Sequence, residues 1–200
     1  MELLLIRHAL PLRVEKEDGS PADPGLSETG IDQARRLARW MESEQLEAIY
    51  SSPLNRARMT AQFLAEVKGI EIHIEPGIAE FDNQSSVYVP MEELRAKDYE
   101  QWLKLVSGGF EERYNLKDFR KVAVTSIETI IAQNSGRRVA VVCHGGIINI
   151  WAAHVLRIDK FLFFAPEYTS INRFLASGKG QRSVASLNET AHLRENLTLI

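Results

Sequence analysis

One cysteine, Cys143, stands in the 200 residues, and a lone cysteine excludes an internal disulfide. It ends an apolar run, where it reads as a small buried side chain, and such sparing use fits a reducing compartment. No stretch approaches the roughly 20 apolar residues that a membrane span requires. The opening Met1-Glu2-Leu3-Leu4-Leu5-Ile6-Arg7 is too short for a signal-peptide core and has no basic residues before it. Charge of one sign is also missing: 24 Lys and Arg against 27 Asp and Glu leave a net charge of -3, which argues against nucleic acid as a dominant partner. There is no internal repeat and no low-complexity tract. Close His-x-x-x-His or Cys-x-x-Cys spacing is absent too, so no metal site is expected. Gly178-Lys179-Gly180 lacks the strand–loop–helix setting of a phosphate loop and reads as a hairpin turn. These absences point to a soluble, cytoplasmic protein without membrane or nucleic-acid partners and without a cofactor.

What is present is ordinary in bulk. The chain is 44% hydrophobic and 26% charged, which suits a single folded domain over 1–200 with a substantial core. Leu3-Leu4-Leu5-Ile6 and Val139-Ala140-Val141-Val142 read as buried parallel strands, and each runs into a histidine, His8 after Arg7 and His144 after Cys143. Two strands ending in this way can bring both imidazoles to the carboxyl edge of one sheet, where open α/β folds bind ligands. Residues 10–26, with three prolines and two glycines among charges, read as a long loop. Ser27 is an N-cap for a helix with Ile31, Ala34, Leu37, Ala38 and Met41 on one face, and Arg35, Arg36 and Arg39 on a solvated one. Ala48-Ile49-Tyr50 is a short strand, Pro53 fits the first turn of the next helix, and Ile70–Ile74 is a half-exposed strand. Two helical stretches fill most of 91–134, the second with Phe119, Val122, Ala123, Ser126, Ile127, Ile130 and Ile131 facing inward. Gly145-Gly146 opens a further helix, and 169–175 with 181–187 form a strand pair. The alternation predicts an α/β fold, a three-layer α/β/α sandwich with a mostly parallel sheet.

Arg56, at a helix start where a cation opposes the dipole, calls for an anion. Arg7, Arg56 and two histidines together suit a phosphate group. His8 is the candidate nucleophile, with a backbone carbonyl fixing its tautomer, and His144 the candidate imidazolium donor. Glu80 and Asp82 are both candidates for the proton donor, since on an extended segment they point the same way. Gly145 at the helix start adds a free N–H to the anion site. His73, His154 and His192 read as structural, and Trp40, Trp102 and Trp151 as packing residues.

The motifs resemble those of the histidine phosphatase, or phosphoglycerate mutase-like, superfamily. Leu5-Ile6-Arg7-His8 is similar to its opening motif and Leu26-Ser27-Glu28-Thr29-Gly30 with Gln33-Ala34 to its second landmark. Ser51-Ser52-Pro53-Leu54-Asn55-Arg56-Ala57 with Thr60-Ala61 is similar to the third. Ile78-Ala79-Glu80-Phe81-Asp82 resembles its acidic segment, Val142-Cys143-His144-Gly145-Gly146 its final one, and Asn188–Leu193 also looks familial. The resemblance implies a phosphatase that hydrolyses the phosphomonoester of a small organic substrate through a phosphohistidine at His8, with the proton donor at Glu80. It also permits a phosphoglycerate mutase, which usually carries a longer segment over the site, so that the short chain favours hydrolysis, or a non-catalytic relative that binds a phosphorylated ligand. Ala9 and Leu10 depart from the family's glycine and its following glutamate or glutamine, and Val14 occupies its usual asparagine position. Arg13 is the expected replacement cation at the substrate. Leu10, Pro11, Leu12, Val87, Tyr88 and Val89 are expected to make the pocket mouth partly apolar. The expected partner is a small-molecule phosphate ester, with a homodimer as the candidate assembly.

Overall fold

The chain is described by a computed structural model covering residues 1–110 and 114–194. The first strand, β1 (Glu2–Arg7), carries four consecutive fully buried residues. Its side chains alternate between two cores: Leu3 and Leu5 face one, Leu4 and Ile6 the other. A strand apolar on both faces needs cover on both, and this produces the three layers. The chain continues through β2 (Val14–Glu15), α1 (Glu28–Trp40), β3 (Ala48–Ser51), α2 (Asn55–Lys68), β4 (Ile72–Ile74) and β5 (Val87–Tyr88). Then come α3 (Met91–Lys97), α4 (Tyr99–Lys104), α5 (Leu116–Gln133), β6 (Arg138–Cys143), α6 (Gly145–Leu156), β7 (Ile171–Ala176) and β8 (Arg182–Glu189).

The six-stranded sheet has the order β4-β3-β6-β1-β7-β8. The first four strands are parallel, β7 runs antiparallel to β1, and β8 antiparallel to β7. The fold is thus the expected α/β/α sandwich on a mostly parallel sheet. Helices α1 and α2 cover one face through Leu37, Ala57, Ala61 and Leu64. Helices α5 and α6 cover the other through Ala123, Ile127, Ile130, Ile147 and Trp151.

Register places the site. β1 and β6 are adjacent and in step, with Arg7 opposite Cys143, so His8 and His144 leave the sheet side by side. The His8 amide donates to the Cys143 carbonyl at 2.9 Å, which holds the two strand exits together.

Several local expectations are corrected. Pro53 precedes α2 instead of entering it, because Leu54 is the extended cap residue. The stretch from 91 to 104 divides into two short helices at Asp98, whose side chain accepts from the Gln101 amide and starts α4. Val122 lies off the buried stripe of α5 and is exposed. The 10–26 loop is pinned by β2, which pairs with β5. Trp40 is 51% exposed at the end of α1, beside the His192 ring, so its role is not core packing. Among the described residues no helix is long and apolar enough to cross a membrane.

Candidate active site

The loop after β1 is held by side chains from two helices. Ala9 N–H donates to Thr60 Oγ1 at 3.0 Å, and Leu10 N–H to Gln33 Oε1 at 2.9 Å. These bonds give Thr60 on α2 and Gln33 on α1 their work: each satisfies an amide that the turning chain would otherwise leave unpaired. Gly30 serves the same loop. A Cβ there would lie 2.0 Å from the Leu10 carbonyl oxygen, so α1 can pack this closely only without one.

The fixed loop presents His8, 3% exposed. Its Nδ1 lies 2.8 Å from the Ala9 carbonyl oxygen, which accepts only from a protonated Nδ1. The neutral ring therefore keeps its lone pair on Nε2. Burial, then the Arg56 and Arg7 charges, push the His8 pKa well down, so the ring is neutral at neutral pH. The His144 ring lies beside it, centroids 5.1 Å apart and planes tilted by 57°. His144 Nε2 is 2.7 Å from Ser52 Oγ, and its Nδ1 is buried without a protein partner. Burial and the charges of Arg56 and Arg7, with His8 close by, also hold its pKa well down. These charges favour the neutral ring in the absence of an anion. Ser52 Oγ accepts from Leu54 N–H, so its own proton can go to His144 Nε2, leaving Nδ1–H as a neutral donor.

The two guanidinium groups close the site. Arg56, on the first turn of α2, is 1% exposed and stacks over the Tyr88 ring at 4.5 Å. Arg7 lies over the Tyr168 ring at 3.9 Å and donates to the Pro166 carbonyl at 2.6 Å. Both Nε atoms are buried without protein partners. Unpaired buried donors on two arginines and a histidine make a concave array suited to a tetrahedral oxyanion.

Glu80 and Asp82 do not lie on an extended segment. A turn separates them, with Asn83 N–H donating to the Glu80 carbonyl, and they take different positions. Glu80, 8% exposed, accepts from the Gly146 amide at 2.9 Å, against the N-terminus of α6. Burial first, then the Asp82 charge, raise its pKa to about 7. Asp82 sits 3.7 Å from Arg56 Nη2; burial raises its pKa while Arg56 opposes the rise. Gly145 lines the same cavity at the helix start.

Arg13 is not brought to the site. It pairs with Glu93 at 3.0 Å and with Glu15 at 3.8 Å, outside the cavity lining. The cavity, about 430 Å³, takes its apolar wall from Met91, Trp102, Phe110, Leu162, Phe163 and Phe164, together with Tyr88 and Val89. Leu10, Pro11, Leu12 and Val87 take no part in it, and Trp102 is a cavity residue as well as a packing one. Glu92 on α3 was not anticipated. It meets Arg7 Nη1 at 3.1 Å and accepts from Tyr168 Oη at 2.7 Å. No sequence signal marks it, since α3 reads as a solvated helix. His192 bonds Thr169 Oγ1 at 2.9 Å, and Thr169 N–H reaches the Arg7 and His8 carbonyls, so His192 supports the strand exit from behind.

Comparison with known proteins agrees with this geometry. The family model of the histidine phosphatase superfamily (branch 1) matches residues 3–190. Phosphoserine phosphatase 1 of Hydrogenobacter thermophilus is 28% identical over 208 aligned residues, covering 98% of this chain and 95% of the relative. Phosphoglycerate mutase-like protein 4 of Arabidopsis thaliana is 27% identical, covering 97% and 87%. The crystal structure of a phosphoserine phosphatase from Entamoeba histolytica, in complex with 3-phosphoglyceric acid, superposes with a TM-score of 0.73 at 25% identity, covering 96% of this chain and 99% of that one. The chain belongs to the histidine phosphatase superfamily, branch 1.

Proposed function

We propose that the protein is a phosphatase that hydrolyses a phosphomonoester through a phosphohistidine at His8. The observation that carries this reading is the pairing of a neutral, tautomer-fixed His8 with unpartnered donors of Arg7, Arg56 and His144. His8 Nε2 attacks phosphorus, the N–P bond forms and the ester P–O bond breaks. Glu80 gives its proton to the departing alkoxide, which leaves as the alcohol. The Glu80 carboxylate then takes a proton from water, the water oxygen attacks phosphorus, the N–P bond breaks and inorganic phosphate leaves. Arg7, Arg56 and His144 offset the charge on the transferring group in both steps. Asp82 positions Arg56 and tunes Glu80, and Gly145 contributes to the anion-binding helix start.

Brief mixing with a radiolabelled aryl phosphate should trap label on the protein, acid-labile and absent in His8→Ala. Label persisting in His8→Ala would overturn the nucleophile assignment. The likeness to a phosphoglycerate mutase-like protein makes phosphotransfer the second reading. Incubation with 3-phosphoglycerate distinguishes them: 2-phosphoglycerate in place of inorganic phosphate would establish the mutase. Binding of phosphate without turnover of any ester would establish a non-catalytic relative.

A further inference from the structure

The cavity beyond the histidines is poor in cations. Among the described residues, Arg7 and Arg56 are the only cationic side chains that line it, and both lie at the phosphate end. Each already faces an acid, Glu92 against Arg7 and Asp82 against Arg56. Arg95 lies over the Trp102 ring at 5.0 Å but is not part of the lining, and Arg13 is engaged by Glu93. A dianionic phosphate brings two further negative charges into this space. A second anionic group on the same substrate would find no counter-ion among the described lining residues and would face Glu92 and Asp82, which raises its cost.

The remaining wall is apolar and held in place. Trp102 on α4 packs with Tyr99, ring centroids 5.4 Å apart, and lines the cavity together with Phe110. The opposite wall, Phe163 and Phe164, is clamped by the fully buried Asn149, which accepts from both of their amides at 3.0 and 3.3 Å. Aromatic walls fixed in this way favour apolar area on a ligand over flexible polar chains.

Resting on the phosphatase reading above, we infer that the substrate is a phosphomonoester of an apolar, ring-sized alcohol that carries no second anionic group. Trp102 and Glu92 set this specificity. Trp102 supplies contact area for the alcohol, and Glu92 excludes a second negative charge. The selection is against a second negative charge only: a site that holds two arginines, two acids and a phosphate dianion does not repel a cation.

The test compares primary alkyl phosphates, so that leaving-group reactivity is held nearly constant. 2-(2-Naphthyl)ethyl phosphate should exceed O-phosphoserine and 3-phosphoglycerate, which carry a carboxylate, in kcat/KM by about tenfold or more. In Trp102→Ala the ratio of the naphthylethyl ester to ethyl phosphate should fall by about tenfold, through KM. In Glu92→Gln the ratio of phosphoserine to ethyl phosphate should rise. Binding of the matching non-hydrolysable phosphonates to the wild type, measured by calorimetry, should follow the same order. A preference for an ester with a second anionic group, or no preference, would overturn the inference while leaving the phosphatase reading in place. No turnover with the expected phosphonate order would overturn the phosphatase reading and leave the ligand class standing. Absence of both turnover and phosphonate binding would remove both.

Discussion

Glu80 rests on the first turn of α6, its Oε2 accepting the Gly146 amide at 2.9 Å, so the carboxyl that titrates near neutrality is fixed by the same helix that follows His144. Burial lifts its pKa to about 7, with Asp82 adding to the rise. Protonated Glu80 is the form that can donate to a leaving group. Activity toward alkyl phosphates, for which transfer to His8 limits the rate, should therefore decline about tenfold per unit above pH 7. Glu80→Gln should remove this alkaline limb and lower kcat on alkyl phosphates by about 10²–10⁴. It should cost far less with p-nitrophenyl phosphate, whose leaving group needs no proton. A pH–rate profile on both substrates is the check, and an unchanged alkaline limb in Glu80→Gln would move the proton donor elsewhere.

The same group has a stability consequence whose sign follows from proton uptake. With its folded pKa raised above the ordinary 4.5, Glu80 binds more protons in the folded state, so stability falls as pH rises from about 4.5 to 7. Glu80→Gln should remove this penalty and raise Tm at pH 8 relative to the wild type. The difference should shrink toward pH 4, and differential scanning at the two pH values reads it directly.

Asp82 acts on Glu80 through charge. Asp82→Asn removes a negative neighbour, so the Glu80 pKa should fall and the alkaline limb should move to lower pH, at some loss of Arg56 placement. If Asp82 were itself the proton donor, the limb would vanish instead of shifting. The two carboxylates, which share a short acidic motif in sequence, are separated by this one profile.

The sequence disclosed the scaffold better than the mouth of the site. Apolar runs ending in Arg7-His8 and Cys143-His144 are sufficient to predict adjacent buried strands, because a run apolar on both faces has few other homes. The motif residues Thr60 and Gln33 are legible as landmarks, but their work as acceptors for Ala9 and Leu10 amides depends on distances across the fold. Glu80 and Asp82 were not separable, because a turn of the backbone, not strand alternation, sets their directions. Arg13 directly follows Leu10-Pro11-Leu12, the expected mouth, yet Glu93 on α3 draws it away. Glu92 and Trp102 belong to short helices with no buried stripe, so periodicity gives them no signal; their place over the cavity comes from tertiary packing.

Gly146 is the glycine whose substitution bears most directly on the proton donor. A Cβ there would lie 2.3 Å from Glu80 Oε1 and 3.1 Å from the Phe81 ring, so alanine must displace the carboxyl. Alanine suits a helix interior, so Gly146→Ala should fold. Its kcat on alkyl phosphates should fall by about 10²-fold, with a smaller effect on p-nitrophenyl phosphate. Equal losses on both substrates would show that the substitution harms phosphate binding instead of proton transfer.

Asn149 joins stability to the cavity wall. Besides the two amides of Phe163 and Phe164, its Nδ2 donates to the Gly145 and Phe164 carbonyls at 2.9 and 3.0 Å. Leucine has nearly the same shape and none of these bonds. Asn149→Leu leaves part-buried amides and a carbonyl of the 163–164 segment unpaired, at a cost of about 2–4 kcal/mol. Tm should fall by roughly 5–15 °C for a chain of this size. Asn149→Asp keeps the acceptor for both amides and loses the donor, so it should be the milder change. In both variants KM for an aryl-alkyl phosphate should rise more than kcat falls, because Phe163 and Phe164 are walls and not reacting groups. A loss confined to kcat would mean that Asn149 acts through Gly145 and the anion site instead of through the wall.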